Sequence, residues 1–198
     1  MEIPRNIWGP MGWHLLHSFS INHKYKLKPN EAHDYYIFYK TFAYILPCLT
    51  CSEHYQDYFF VQHKMIEKKI TRSYLIKWVF DLHNKVNKRL DKPLYTLKKC
   101  IDDNIEPNNN IILFFVNAIY LGYDYNSMDI YRYDHIYNFF YKFCELYPDK
   151  KIRKILLEQI NTDAFMDVET PIKFYLWYKK YIFKNKYLEK YYSYPDYK

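Results

Sequence analysis

Glycine is scarce in this sequence, with three glycines in 198 residues. Strand-rich sandwiches and barrels use glycine at many of their turns, so its scarcity argues against those folds. It also leaves no Gly-rich phosphate loop, because neither a G-x-G-x-x-G pattern nor a P-loop pattern occurs. Nucleotide sites of the Rossmann and Walker types therefore have no support in the sequence.

Long apolar runs are also missing. No stretch reaches the roughly 18 residues that mark a membrane-spanning helix, and the start MEIPRNIWGP lacks the basic-then-apolar pattern of a secretory signal. Hydrophobic residues still make up 49% of the chain and aromatic residues 22%, which excludes wholesale disorder. We therefore expect a soluble, cytoplasmic protein with no membrane partner.

Positive charge is in modest excess. The chain carries 29 Lys and Arg against 22 Asp and Glu, a formal net charge of +7. The densest basic stretch is 85–99, at the end of a predicted helix. It is interpreted either as a solvated helix face or as a patch for a phosphate-bearing ligand or nucleic acid. Charge alone favours the solvated face.

Hydrophobic residues at helical spacing predict four helices in the first half of the chain. Thr71 is the expected N-cap of the fourth, in which Leu75, Trp78, Val79 and Leu82 share one stripe. Short connections between the four helices favour an antiparallel bundle. The predicted helices cover about 10–24, 30–47, 48–63 and 71–93.

A polar stretch at 101–110 predicts a linker between two parts of the chain. Four more helical patterns follow it, and Thr170 before Pro171 is a good cap for the last of them. The sequence thus predicts an all-α fold, with a four-helix bundle domain at 1–105 and a helical accessory domain at 106–198. The later helices are expected at about 111–121, 129–147, 150–161 and 171–192.

Two of the four cysteines form a C-x-x-C pair, Cys48 and Cys51, at the predicted start of a helix. A helix N-terminus stabilises thiolates, so the pair favours redox or metal chemistry. A thioredoxin-like exchanger needs a βαβ setting that the sequence lacks. A zinc site could use the pair with His54 and His63, although the spacing is irregular. A dithiol beside a flavin remains the third interpretation.

Three blocks in fixed order resemble the Erv/ALR family of FAD-linked sulfhydryl oxidases. They are W-G-P-M-G-W-H-L-L-H at 8–17, L-P-C-L-T-C-S-E-H-Y at 46–55 and W-V-F-D-L-H-N-K-V-N-K-R-L-D-K-P-L-Y at 78–95. The resemblance covers about 5–100. The richness in Lys, Asn, Ile and Tyr resembles the members found in large DNA viruses.

The resemblance implies an FAD site at the mouth of the bundle, with no metal. Trp13 and His17 would line the flavin side, and Trp78 and His83 would hold the adenine by stacking. The asparagines of the fourth helix would bond ring or ribose edges, and two lysines would face the pyrophosphate. The full implied set is Gly9, Pro10, Trp13, His17, His54, Trp78, His83, Asn84, Val86, Asn87, Lys88, Lys92 and Tyr95.

The resemblance also implies a mechanism. Cys48, the outer cysteine, would exchange with a protein thiol, and Cys51 would lie against the isoalloxazine and attack its C4a position. Electrons would pass to FAD and then to O2, with release of hydrogen peroxide. The resemblance implies two partners. One is a thiol-bearing protein substrate, with a thioredoxin-like protein as a candidate. The other is a second copy of the chain, in a homodimer formed through the first two helices. No nucleic acid is implied.

The chain departs from the family pattern at several positions. Phe80 and Leu97 stand where many relatives have a second disulfide, and Pro10 stands in place of an arginine. Of the remaining cysteines, Cys100 is a candidate minor exchange site and Cys144 is expected to be a buried free thiol. The sequence favours disulfide formation in viral proteins in the host cytoplasm. The alternative is a zinc-binding helical module with a basic face for nucleic acid or a partner.

Overall fold

The computed structural model describes residues 4–192, and every regular element in that range is helical. The all-α prediction is therefore confirmed. No helix in the described range is both long and apolar enough to span a membrane.

The four predicted helices of the first half are all present. They are α1 (Arg5–Ile21), α2 (Pro29–Ile45), α3 (Leu49–Asp57) and α4 (Arg72–Arg89). Thr71 caps α4 as predicted, because its hydroxyl accepts the backbone N–H of Tyr74. The prediction for the first helix was wrong at its start, since α1 begins directly after Pro4 and continues through Pro10.

The rest of the chain contains α5 (Leu97–Asp102), α6 (Asn109–Gly122), α7 (Ile130–Leu146), α8 (Lys150–Ile160), α9 (Asp163–Met166) and α10 (Pro171–Tyr178). The short α5 overlaps the predicted linker and was not expected. Thr96 starts it by accepting the N–H of Lys99. The last predicted helix is shorter than expected, because α10 passes into a π-helical turn at Lys179–Phe183. Asn185 then accepts the N–H of Tyr187 in a local turn that competes with further helix.

Both halves of the chain contribute to one aromatic core. Phe38 of α2 stacks on Phe19 of α1 at 4.5 Å and on Phe139 of α7 at 5.0 Å between ring centroids. Helix α2 packs along α7, and α1 packs against both α4 and α6. The division into domains at 1–105 and 106–198 stays a prediction, and the ends 1–3 and 193–198 lie outside the described residues.

Helix α1 is enclosed on nearly all sides. None of its residues from Met11 to Ile21 is exposed. At Gly12, an added Cβ would lie 3.5 Å from Phe115 of α6, an ordinary van der Waals contact, so α1 and α6 pack side by side at this point. A homodimer through the first two helices also stays a prediction, and it would have little of the surface of α1 to use.

Candidate active site

A cavity of about 1520 Å³ lies beside α1. Its walls come from α1, α3, α4, α5 and the loop 90–95. The volume exceeds the roughly 300–1,000 Å³ of most small-molecule pockets, and the lining is largely apolar with a few polar groups. Such a cavity suits a large, extended ligand with aromatic rings.

The C-x-x-C pair is joined as a disulfide at the start of α3. Cys48 is the N-cap residue, and its Sγ accepts the backbone N–H of Cys51 at 3.2 Å. Cys51 forms part of the cavity wall, whereas Cys48 does not. The short helix therefore places one sulfur of the bond at the cavity and the other outside it.

Aromatic and imidazole rings stack on the cavity wall. The rings of Trp13 and His83 lie parallel, with centroids 4.2 Å apart. Tyr95 tilts against His83 at 5.0 Å, and His17 lies beneath, 5.2 Å from His83. Three separate elements thus bring these rings together on one wall of the cavity.

The two histidines beside Trp13, His17 and His83, are held neutral. Burial lowers the pKa of His17 to about 3, with further lowering by His83 and His14. Burial and the nearby positive charge of Lys92 lower the pKa of His83 to about 4. At neutral pH, each ring therefore has one N–H donor and one acceptor nitrogen.

A hydrogen-bond chain runs from Cys100 through His17 to His83. Burial raises the pKa of Cys100 to about 11, so its thiol stays protonated, and Sγ lies 3.2 Å from Nδ1 of His17. Nε2 of His17 lies 2.9 Å from Nδ1 of His83. These bonds use both nitrogens of His17 and Nδ1 of His83, so Nε2 of His83 is the ring nitrogen left for a ligand.

His14 joins α1 to the segment after α5. Its Nε2 accepts the backbone N–H of Asn108 at 2.9 Å, so Nδ1 carries the proton and donates to Oδ1 of Asn104. Burial lowers the pKa of His14, which keeps this arrangement neutral. The bonds fix the inner end of the cavity to the start of α6.

Two asparagines of α4 hold the loop 90–95. The amide of Asn84 donates to the carbonyl of Tyr95 at 3.0 Å and accepts its N–H at 2.8 Å. Asn87 donates to the carbonyl of Pro93 at 3.2 Å. Asn84 does not line the cavity, and Asn87 does. Both side chains thus position Tyr95 rather than leaving their amides free for a ligand.

Lysines and arginines surround the cavity. Lys85, Lys88, Arg89 and Lys92 project from α4 and the turn after it, and all four are exposed. Exposed cations around an apolar cavity favour a ligand with anionic groups at the solvent end and aromatic rings inside.

Most of the residues implied by the resemblance lie on the cavity wall, including His54, which is exposed there. Trp78 does not. Its ring is buried in the core against Tyr39, and its Nε1–H donates to the carbonyl of His63 at 2.8 Å. We therefore leave Trp78 out of the candidate site. The implied residues on the wall are Gly9, Pro10, Trp13, His17, Cys51, His54, His83, Val86, Asn87, Lys88, Lys92 and Tyr95.

Several residues of the site were not predicted from the sequence. His14 was detectable, since a histidine three positions before His17 shares its side of α1. Arg5 and Asn104 had no local signal. Cys100, expected as a minor exchange site, is buried with 1% of its surface exposed, so the structure does not support exchange with a protein thiol there. Cys144 is a buried free thiol, as predicted.

The described residues contain no group of three or more His, Cys, Asp or Glu side chains placed to hold a metal ion. The zinc interpretation needed Cys48, Cys51, His54 and His63 together. In the structure His63 instead stacks on Trp78 at 5.9 Å.

The model of the Erv1/Alr family matches residues 10–106. A probable FAD-linked sulfhydryl oxidase of Acanthamoeba polyphaga mimivirus is 32% identical over 97 residues, which are 48% of this chain and 66% of that protein. A putative FAD-linked sulfhydryl oxidase of Invertebrate iridescent virus 6 is 33% identical over 101 residues, 47% of this chain and 87% of that protein.

A mitochondrial FAD-linked sulfhydryl oxidase of Saccharomyces cerevisiae is 30% identical over 87 residues, 44% of each chain. No solved structure matches. The helical fold and the cavity with a C-x-x-C sulfur in its wall define a redox-type site, and these similarities identify its family. The chain belongs to the Erv1/Alr family, as the resemblance predicted.

Proposed function

We propose that this chain is an FAD-dependent sulfhydryl oxidase that forms disulfide bonds in protein thiols. One observation carries the proposal: Cys51 lies in the wall of the aromatic cavity while its bonded partner Cys48 lies outside it. A sulfur outside the cavity can meet a protein substrate, and a sulfur inside can meet a bound cofactor. The names of the relatives agree with this chemistry.

The residues present fit FAD. The stacked rings of Trp13 and His83 offer an aromatic face, and Nε2 of His83 offers a polar contact. Gly9 lies on the wall, and a Cβ added there would meet no protein atom within 4 Å, so the space beside it is open for a ligand. Lys88 and Lys92 are free to face the two phosphates. When bound, FAD supplies a two-electron acceptor that returns its electrons to O2 as hydrogen peroxide.

The protein's own chemistry is thiol–disulfide exchange at the start of α3. A substrate thiolate attacks Sγ of Cys48, a new S–S bond forms, and Cys51 leaves as a thiolate at the cavity wall. A second substrate thiolate then attacks the substrate sulfur of the mixed disulfide and releases Cys48 as a thiolate. Backbone N–H groups at the N-terminus of α3 stabilise both thiolates. Overall, two substrate thiols and O2 become one disulfide and hydrogen peroxide.

The proposal extends to the setting of the enzyme. Its substrates are protein thiols, with a thioredoxin-like protein as one candidate, and it serves disulfide formation in viral proteins in the host cytoplasm. Residues 1–105 hold the FAD, and residues 106–198 form the accessory part. A homodimer would use surfaces other than the enclosed part of α1.

An absorbance spectrum before and after dithiothreitol in air tests the proposal. We expect a flavin band that bleaches while oxygen is consumed and returns when the thiol is exhausted. Cys51→Ala should abolish oxygen consumption and keep its flavin, and Cys48→Ala should also be inactive. Cys144→Ala, which changes a buried thiol outside the cavity, is the matched control and should stay active. A colourless protein that contains zinc would refute the oxidase and favour the zinc module.

A further inference from the structure

Arg5 makes a direct contact with the outer sulfur of the disulfide. It lies at the exposed start of α1, and its Nη2 donates to Sγ of Cys48 at 3.3 Å across 43 residues of sequence. The backbone N–H of Cys51 donates to the same sulfur at 3.2 Å. Sγ of Cys48 therefore has two donors, of which one carries a full positive charge.

The guanidinium of Arg5 has no carboxylate partner within the described part of the chain. Among residues 4–192, no carboxylate forms an ion pair with its guanidinium. An arginine without a carboxylate partner keeps its full attraction for an anion, and hydrogen bonds to ionised groups are about twice as strong as neutral ones. A thiolate at Cys48 would thus gain more from this contact than the disulfide sulfur does.

We propose that Arg5 is a catalytic residue of the exchange at Cys48, an inference that rests on the proposed function. The guanidinium draws the incoming substrate thiolate to Sγ of Cys48 as that atom forms the new S–S bond and Cys51 leaves. It then stabilises the Cys48 thiolate when the second substrate thiolate takes the substrate sulfur. Arg5 transfers no proton in either step and acts through its charge and its N–H donors.

The exposed residues beside Cys48 leave it open to a protein substrate. Leu49 lies between the two cysteines and is 75% exposed, and Pro47 and Thr50 beside it are also exposed. A substrate segment can therefore reach Cys48 without moving any helix. Arg5 is the charged group that the described structure places in contact with that sulfur.

The test uses Cys48 alone, in a Cys51→Ala background where the other thiols, Cys100 and Cys144, are buried. The rate of alkylation by iodoacetamide as a function of pH gives the apparent pKa of Cys48. Arg5→Gln should raise the apparent pKa of Cys48 by about one unit, because it removes a hydrogen bond to the charged thiolate. Added salt should shrink the difference. Arg153→Gln removes the same charge from α8 and should leave the value unchanged.

A second measurement follows the release step directly. The mixed disulfide of Cys48 with glutathione is prepared in the same background, and glutathione is added to displace Cys48. A leaving thiol with a pKa raised by one unit leaves about threefold more slowly, so Arg5→Gln should slow release by about that factor. Arg5→Lys should recover part of the rate because it keeps the charge.

Neither measurement needs flavin turnover, so the two proposals fail separately. An unchanged pKa and an unchanged release rate in Arg5→Gln would overturn the role of Arg5, whatever the oxidase activity. A shifted pKa and slowed release in a chain that consumes no oxygen would refute the oxidase and leave the action of Arg5 on Cys48 in place.

Discussion

Lowering the pH should unfold this protein through its buried histidines. In the folded state the pKa is about 3 for His17 and about 4 for both His83 and His23, because burial disfavours the charged ring. An unfolded histidine titrates near the ordinary value of 6.5. Between these values the unfolded chain binds more protons than the folded one. The contribution of these histidines to the free energy of unfolding is therefore fully present above about pH 6.5 and is lost as the pH falls toward 4.

The magnitude is large compared with the stability of a typical domain. Each unit of difference in pKa is worth about 1.4 kcal/mol of unfolding free energy. Full protonation therefore removes about 3 kcal/mol at His83 and about 5 kcal/mol at His17. The two rings share a hydrogen bond, so these amounts are not additive. A domain has only about 5–15 kcal/mol in total. We expect the loss to begin below pH 6.5, above the range where most carboxylates titrate.

Urea unfolding followed by circular dichroism from pH 7.5 to 4.5 measures this loss. His83→Gln keeps a hydrogen-bond acceptor beside His17. It should reduce the slope of the unfolding free energy against pH by up to about 1.4 kcal/mol per pH unit. His23→Gln is the matched variant, because His23 packs on Tyr35 away from the cavity. It should flatten the dependence but keep the flavin, whereas His83→Gln should also lose flavin. Equal slopes in all three proteins would refute the reasoning.

Three further outcomes are expected. Trp13→Ala removes the ring stacked on His83 and should lower the flavin-to-protein absorbance ratio, while Trp13→Phe should retain more flavin. Lys92→Gln should weaken flavin retention most at low salt, as measured by flavin release during dialysis, and an effect independent of salt would contradict a phosphate contact. Phe38→Ala should cost about 3–5 kcal/mol in urea unfolding, since its ring joins α1 to α7, and a cost under about 1 kcal/mol would show that the core relaxes around the gap.

The sequence predicts those parts of the site that depend on short-range patterns. Pro47 before a C-x-x-C pair marks a helix start, and Thr71 marks another, because capping chemistry is local. The position of Trp78 was not accessible to helix periodicity alone. Trp78 and Lys88 are each five residues from His83 on α4, yet Trp78 is buried in the core while His83 and Lys88 line the cavity.

Contacts between distant segments could not be read from any pattern in a single sequence. Cys100 meets His17 across 83 residues, and Arg5 meets Cys48 across 43. Neither pair has a spacing, a cap or a periodicity that points to the other member. Such contacts depend on how helices pack, and packing is set by the shape of the whole core rather than by local propensity.

The second half of the chain carries no chemical motif, yet it helps to position the redox pair. The hydroxyl of Tyr123, at the end of α6, donates to the carbonyl of Ile45 at 2.6 Å. Ile45 is the last residue of α2, where carbonyls have no partner within the helix, and Cys48 follows three residues later. The bond fixes the point from which the chain turns into α3. The segment at the end of α6 thus holds the backbone that sets Cys51 at the cavity wall and Cys48 beside Arg5.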